Sequence, residues 1–248
     1  GSPGKNPAVR AQLLLTYDDG TSQVVGTDTT WKSSSESPVR MADIWNGESY
    51  DATYGTDWQN ADFNDTAWAR PEVNTEFDGR INPAPEGARV RVREDLERHI
   101  QSATVYQDVI GAGDAQYGKI VPEGMYAQGE SFALRPGEKA IVDLGQNFAG
   151  WSQITAKGER GTRITLRHGE TLNDQDGLVA RGNDGPEGSL HTVNLHGAAA
   201  TATYTMAGGQ RETYHSSYTF YGFRYVEITA SRPITVYDLR GLVVTSVH

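Results

Sequence analysis

Apolar and polar positions along this chain fall into short runs separated by turn-forming residues. Ala11-Gln12-Leu13-Leu14-Leu15-Thr16-Tyr17 is an apolar, β-prone run, Asp18-Asp19-Gly20 has turn chemistry, and Thr21 to Val25 returns. That pattern predicts a β-hairpin over 10–26. A further strand is expected near Met41 to Trp45, after a Ser-rich turn that ends in Pro38. Ala88-Arg89-Val90-Arg91-Val92-Arg93 alternates strictly and predicts a strand, and Glu94 to Ile100 is the one segment in which a short helix is expected. Ser131 to Leu134, Lys139 to Leu144, Gly150 to Ala156 and Thr162 to His168 are β-prone. Arg135-Pro136-Gly137-Glu138, Gly145-Gln146-Asn147 and Lys157 to Gly161 separate them. Strands are expected again at Ala200 to Met206, Glu212 to Tyr218, Phe223 to Thr229 and Gly241 to Val247.

Short strands at such regular spacing predict an all-β protein of two β-sandwich, jelly-roll-like domains, not βαβ units. Pro71 to Pro85 is rich in Pro, Asn, Asp and Gly, which is how a connection between compact units reads. The expected domains are therefore 1–85 and 86–248. The polar stretch Asn173 to Ser189 is long for a loop without regular structure, and such loops are functional or mobile.

Composition narrows the function classes. The 248 residues are 37% hydrophobic, enough for two ordinary cores. A formal charge of -10 and scattered basic residues argue against nucleic acid, since phosphate binding needs clustered Lys and Arg. No apolar run approaches the roughly 18 residues of a membrane span. Without cysteine the chain has no thiolate nucleophile or disulfide, and cysteine usage is silent on the compartment. The six histidines show no zinc spacing.

Asn46-Gly47-Glu48-Ser49-Tyr50-Asp51-Ala52 and Asp62-Phe63-Asn64-Asp65-Thr66-Ala67-Trp68, after the hairpin and Trp31-Lys32, resemble the N-terminal domain of the bacterial α-L-rhamnosidases of glycoside hydrolase family 78. Val142-Asp143-Leu144-Gly145-Gln146-Asn147-Phe148-Ala149-Gly150-Trp151, then Gly161 to Leu172, then Tyr221-Gly222-Phe223-Arg224-Tyr225-Val226-Glu227 are similar to its β-sandwich domain, in the same order. Where the family often has an aspartate before a strand, this chain has Ala200-Thr201-Ala202-Thr203-Tyr204.

The resemblance implies a first domain related to carbohydrate-binding module family 67, which binds L-rhamnose with a calcium ion, and it implies hydrolysis with inversion by a separate (α/α)6 barrel. This chain then lacks the catalytic barrel, packs against it in a parent enzyme, and encodes about half of the sugar-binding jelly roll. An extracellular or periplasmic parent and a cytoplasmic one both remain open. Pro38 falls in a loop that aligns with a ligand-contacting loop of the family.

The residues themselves offer further candidates. Sugars stack their C–H faces on aromatic rings while planar polar groups meet their hydroxyls. Trp45 and Trp58, flanked by Asn46, Gly47, Gly55, Asp57 and Gln59, are the expected platforms, whereas Trp68 and Trp151 are expected to pack in cores. Glu48 and Asp51 are the best carboxylate pair of the first domain and, with Pro38, Trp45 and Trp58, are the candidate carbohydrate-binding residues; no residue is expected to be catalytic. Inverting glycosidases hold two carboxyls about 6.5–9.5 Å apart, but a spacing of three on a strand points these two to opposite faces. The alternative is that they bind loop N–H groups. His168 and Glu170 share a strand face and are expected to play a structural part. In the long loop Asp174, Asp176 and Asp184 supply hard oxygen donors for calcium, or a solvated acidic surface. The readings open are thus a non-catalytic portion of a rhamnosidase, a free-standing calcium-dependent rhamnose-binding module, and a purely structural domain pair.

Overall fold

The structure is a computed structural model that describes residues 8–76 and 89–246. It divides into two compact units. One comprises Gly1–Ser37 with Thr56–Gly87, the other Pro38–Gly55 with Ala88–His248. The boundary expected near residue 86 lies outside the described residues. Residues 38–55 nonetheless belong to the second unit, because β-pairing carries them into its sheet.

In the first unit the hairpin forms as the sequence predicts. Strands β1 (Gln12–Thr16) and β2 (Ser22–Gly26) pair antiparallel with Leu13 opposite Val25. Asp19 accepts hydrogen bonds from the Thr21 N–H and hydroxyl at the turn. An isolated bridge joins Ser33 to Ala69, and Lys32 pairs with Asp65 at 2.8 Å. Phe63 packs on Trp68 with ring centroids 5.4 Å apart, so Trp68 is a half-buried packing residue.

The second unit contains β3 (Val39–Asp43), β4 (Gly47–Asp51), β5 (Arg91–Val92), β6 (Arg98–His99), β7 (Ser102–Ile110), β8 (Lys119–Tyr126) and β9 (Phe132–Leu134). It continues through β10 (Lys139–Gly158), β11 (Arg163–Gly169), β12 (Thr171–Leu172), β13 (Leu190–His191), β14 (Thr201–Thr205), β15 (Glu212–Tyr214), β16 (Tyr221–Ala230) and β17 (Ile234–Thr245). All but β12 and β13 join one sheet, whose central order is β3-β4-β14-β11-β16-β10-β17-β5. Alternation decides its faces: Ile164, Leu166 and His168 of β11 and Ala202, Tyr204 and Met206 beside them are buried, while Thr165 and Thr203 between them are not. One core cluster unites Leu134 and Val236 with Leu166, Tyr204 and Phe223. Strands distant in the sheet order share that core, so the sheet curls over its own apolar face as a sandwich must.

The all-β class is therefore as the sequence predicts, with three local differences. Glu94 to Ile100 is no α-helix: a 3-10 turn over Glu94–Leu96 leads into β6, which pairs with β17. Gly145-Gln146-Asn147 does not end a strand, because β10 runs through it for 20 residues. Gly145 takes φ +81° and its N–H donates to the Asp143 carboxylate at 2.6 Å, so the turn residues form a bulge between Asp143 and Phe148. The long loop is ordered by 3-10 turns at Gln175–Gly177 and Val179–Arg181 and closed at its base by β12 and β13.

Gly47 shows how tightly β4 seats beside β14. Its φ is +118°, and a Cβ there would lie 1.9 Å from the Thr201 carbonyl oxygen. Only glycine accepts both that backbone and that approach.

Candidate functional site

The second unit gathers chemistry where the β3–β4 turn meets the loop between β15 and β16. Glu48 is 1% exposed. Its Oε1 accepts the Tyr214 hydroxyl at 3.0 Å, and its Oε2 accepts the N–H groups of Ser217 and Tyr218 at 2.8 and 2.9 Å. Two successive N–H groups aimed at one oxygen make a small anion nest. The carboxylate neutralises donors that a loop would otherwise leave unmade. Burial pushes the Tyr214 hydroxyl well above its ordinary range, with the Glu48 charge adding to it. Glu48 is thus spent on holding the loop and turns no oxygen to solvent.

The turn itself is braced by Asp43, which accepts the N–H groups of Asn46 at 2.7 Å and Trp45 at 2.9 Å. Those two donors, Asn46 first, hold the Asp43 carboxyl below its usual range. The Trp45 carbonyl accepts the Ala200 N–H and the Ile44 carbonyl accepts the Thr219 hydroxyl. Fixed in this way, Ile44, Trp45, Tyr218 and Phe220 stand 53%, 70%, 66% and 50% exposed. Trp45 is therefore exposed, as its polar neighbours predict. Its companions Tyr218 and Phe220 escaped the sequence reading, although Tyr218-Thr219-Phe220 between serines and Gly222 is an aromatic turn of the same character. Trp151 supports them from below: its indole N–H donates to the Thr219 carbonyl and its ring stacks on His215.

His168 lies under this region with no exposure. Its Nδ1 is 2.8 Å from the Ala200 carbonyl oxygen and its Nε2 is 2.7 Å from Ser152 Oγ. A carbonyl can only accept, so Nδ1 carries the proton and Nε2 accepts from the Ser152 hydroxyl. The ring stacks on Tyr221 at 3.8 Å with an 8° interplanar angle. Burial lowers its pKa to about 4, so it is neutral. Glu170 is not its partner. That carboxylate accepts from the amides of Asn147 and Asn194 at 3.1 Å each.

The other expected residues are dispersed. Pro38 is buried and its carbonyl accepts the Asp51 N–H at 2.7 Å. Asp51 is half-buried, and its Oδ1 accepts the Thr53 N–H and hydroxyl at 2.9 and 2.6 Å. Pro38 and Glu48 are thus structural in this geometry. Trp58 belongs to the first unit, 47% exposed on the 3-10 turn Asp57–Gln59.

In the loop over 173–189, Asp174 pairs with Arg181 at 3.0 Å, and that partner holds its carboxyl below the usual range. Asp176 has φ +54° and donates its N–H to Glu187. Asp184 accepts the Thr192 N–H and hydroxyl at 2.9 and 2.7 Å. The organising residue is Asn173, 3% exposed, whose amide nitrogen donates to Ser189 Oγ and the Leu190 carbonyl. Among the described residues no group of three or more His, Asp or Glu is arranged to hold a metal ion.

The chain matches known proteins over most of its length. Residues 2–94 match the α-L-rhamnosidase N-terminal domain, and residues 134–245 match the bacterial α-L-rhamnosidase concanavalin-like domain. The chain is 34% identical over 227 residues to an α-L-rhamnosidase of Streptomyces avermitilis, covering 91% of this chain and 18% of that protein. It is 28% identical over 226 residues to an α-L-rhamnosidase of an Alteromonas species, covering 91% of this chain and 20% of the relative. The crystal structure of the Streptomyces avermitilis enzyme complexed with L-rhamnose superposes with a TM-score of 0.64 at 31% identity. That match covers 95% of this chain and 19% of that one. The chain spans about a fifth of the length of these relatives.

Proposed function

This chain belongs to the bacterial α-L-rhamnosidase family, of which it carries the N-terminal and concanavalin-like domains, and we propose that it serves as the non-catalytic β portion of a larger rhamnosidase. In that reading it supports recognition of L-rhamnose-containing glycans and packs against a catalytic (α/α)6 barrel. The parent would hydrolyse terminal α-L-rhamnosides.

The observation that carries the proposal is the end of the sandwich at Glu48. Ile44, Trp45, Tyr218 and Phe220 are exposed on a backbone that a buried carboxylate, Asp43 and Trp151 hold rigid. Aromatic side chains pre-set in this way lose little entropy on contact, which favours a docking surface over a mobile loop tip. Two buried titratable groups of this end are also spent. Glu48 has its oxygens in hydrogen bonds and His168 has both nitrogens engaged, so neither offers a base to a substrate.

Assay of the purified chain on p-nitrophenyl α-L-rhamnoside, with calorimetry against L-rhamnose with and without calcium, tests this reading. No turnover and no calcium-dependent saturation are expected. Turnover by the chain alone would overturn the non-catalytic role. Saturable, calcium-dependent rhamnose binding would replace it with a free-standing binding module.

A further inference from the structure

The β1–β2 hairpin of the first unit has an apolar face that stands open to solvent. We propose that a second copy of this chain covers it, the two hairpins packing face to face about a twofold axis as a small four-stranded sandwich. The proposal does not rest on the rhamnosidase reading.

Strand register assigns the faces. Leu13 lies opposite Val25 and Leu15 opposite Gln23, while Gln12 lies opposite Gly26, Leu14 opposite Val24 and Thr16 opposite Ser22. The pairing continues to Ala11, whose carbonyl accepts the Thr27 N–H at 3.0 Å. Side chains alternate across a strand and opposed residues share a face. Ala11, Leu13, Leu15 and Val25 therefore fall on one side. Tyr17 joins them, because its hydroxyl donates to the Gln23 side chain at 2.8 Å.

The two polar residues of that side are already engaged within the hairpin. Gln23 accepts from Tyr17, and the Thr27 hydroxyl oxygen accepts the Ala11 N–H at 3.3 Å. What remains is an apolar surface on which Leu13, Tyr17 and Val25 are 56%, 47% and 38% exposed. The opposite side carries Leu14 and Val24 among Gln12, Thr16, Ser22 and Gly26, as a solvated face does.

A two-stranded hairpin is marginal in water until its apolar face is packed. A strand added at the edge would leave that face open, whereas a second hairpin laid on it closes both faces at once. The charges at the two ends of the hairpin select the second copy and its direction. Arg10 stands at the open end and Asp18 and Asp19 at the turn. In an antiparallel overlay each copy's Arg10 meets the turn carboxylates of the other, and the twofold axis makes both contacts together. Five apolar side chains cover less than the roughly 800 Å² that each partner gives to a standard interface. The dimer is accordingly weak, with a Kd of about 100 µM.

The test is sedimentation equilibrium of the whole chain from about 10 µM to about 1 mM in about 0.15 M salt. The mean mass should climb from one chain toward two. Leu13→Asp should weaken the dimer at least about tenfold. Leu14→Asp, at a residue equally exposed but on the other side, should change it less than about twofold. Arg10→Glu should weaken it about threefold, and adding Asp18→Lys should restore most of the loss. Should a variant fold poorly, methyl NMR of the unsubstituted chain serves: Leu13, Leu15 and Val25 should shift with concentration, and Leu14 and Val24 should not.

A monomer at about 1 mM would overturn the proposal. So would assemblies larger than two chains, a dimer indifferent to Leu13→Asp, or one lost equally with Leu14→Asp. No response to Arg10→Glu would overturn the antiparallel arrangement. None of these readouts involves rhamnose, calcium or turnover, so failure here and failure of the rhamnosidase reading are distinguishable.

Discussion

Glu48 and Tyr218 stand 170 positions apart in the chain, yet the carboxylate of the first accepts the backbone N–H of the second at 2.9 Å. That bond, with those from Ser217 and Tyr214, ties the β3–β4 turn to the loop that carries Tyr218 and Phe220. A residue whose sequence setting advertises a functional carboxylate is the anchor of an aromatic surface.

Removing that anchor leaves two backbone N–H groups and a buried hydroxyl unpaired. Glu48→Ala should destabilise the chain by about 3 kcal/mol, read as a lower midpoint in urea denaturation. A loss under about 0.5 kcal/mol would show that the loop does not depend on the carboxylate.

Gly47 is held to its identity by geometry alone. Gly47→Ala places a Cβ 1.9 Å from the Thr201 oxygen at φ +118°, so β4 must shift from β14. The expected cost is about 3 kcal/mol or more, seen in thermal unfolding. Gly209, where a methyl group would meet nothing within 4 Å, is the control: Gly209→Ala should leave the melting temperature nearly unchanged.

Stability should fall with acid before the carboxylates titrate. His168 has its pKa lowered from 6.5 to about 4 by burial. Between those values the unfolded chain takes up a proton that the folded chain refuses, so unfolding is favoured as pH falls. The contribution is complete above about pH 6.5 and declines through the window, to a loss of roughly 3 kcal/mol near pH 4. Urea denaturation from pH 7.5 to 4.5 should show it, and the slope should flatten in the paired variant Ser152→Ala with His168→Phe, which removes both polar partners. An unchanged slope in that variant would exclude His168 as the source.

Calcium should leave the chain's thermal stability unaltered. Asp174 is paired with Arg181 and Asp184 with Thr192, and these carboxylates do not converge on one point. Scanning calorimetry with calcium and then with a chelator should give one melting temperature. A calcium-dependent rise of several degrees would return a metal to this chain.

Much of the architecture was readable in advance because it is local. The hairpin over Gln12–Gly26 follows from an apolar run, an Asp-Gly turn and a return strand, and β11 and β14 follow from period-two alternation. Gly145-Gln146-Asn147 misled because the same residues that make a turn also make a bulge, and only flanking strands β16 and β17 decide between them. Segment 38–55 joined the second unit for a like reason: β4 pairs in parallel with β14, more than 150 residues later, and no local signal announces a parallel partner.

What the sequence alone determined about this protein is its all-β class, its family resemblance and the exposure of Trp45, since alternation, turn chemistry and ordered motifs are written in neighbouring residues. Tertiary structure decided which polar groups are spent and which are offered. Burial and partners turned Glu48 and His168 into internal supports, while strand register set Arg163, Thr205 and Asp51 in one row on the outer face. A side chain's chemistry depends on what lies across from it, and in a sheet that neighbour comes from a distant part of the chain.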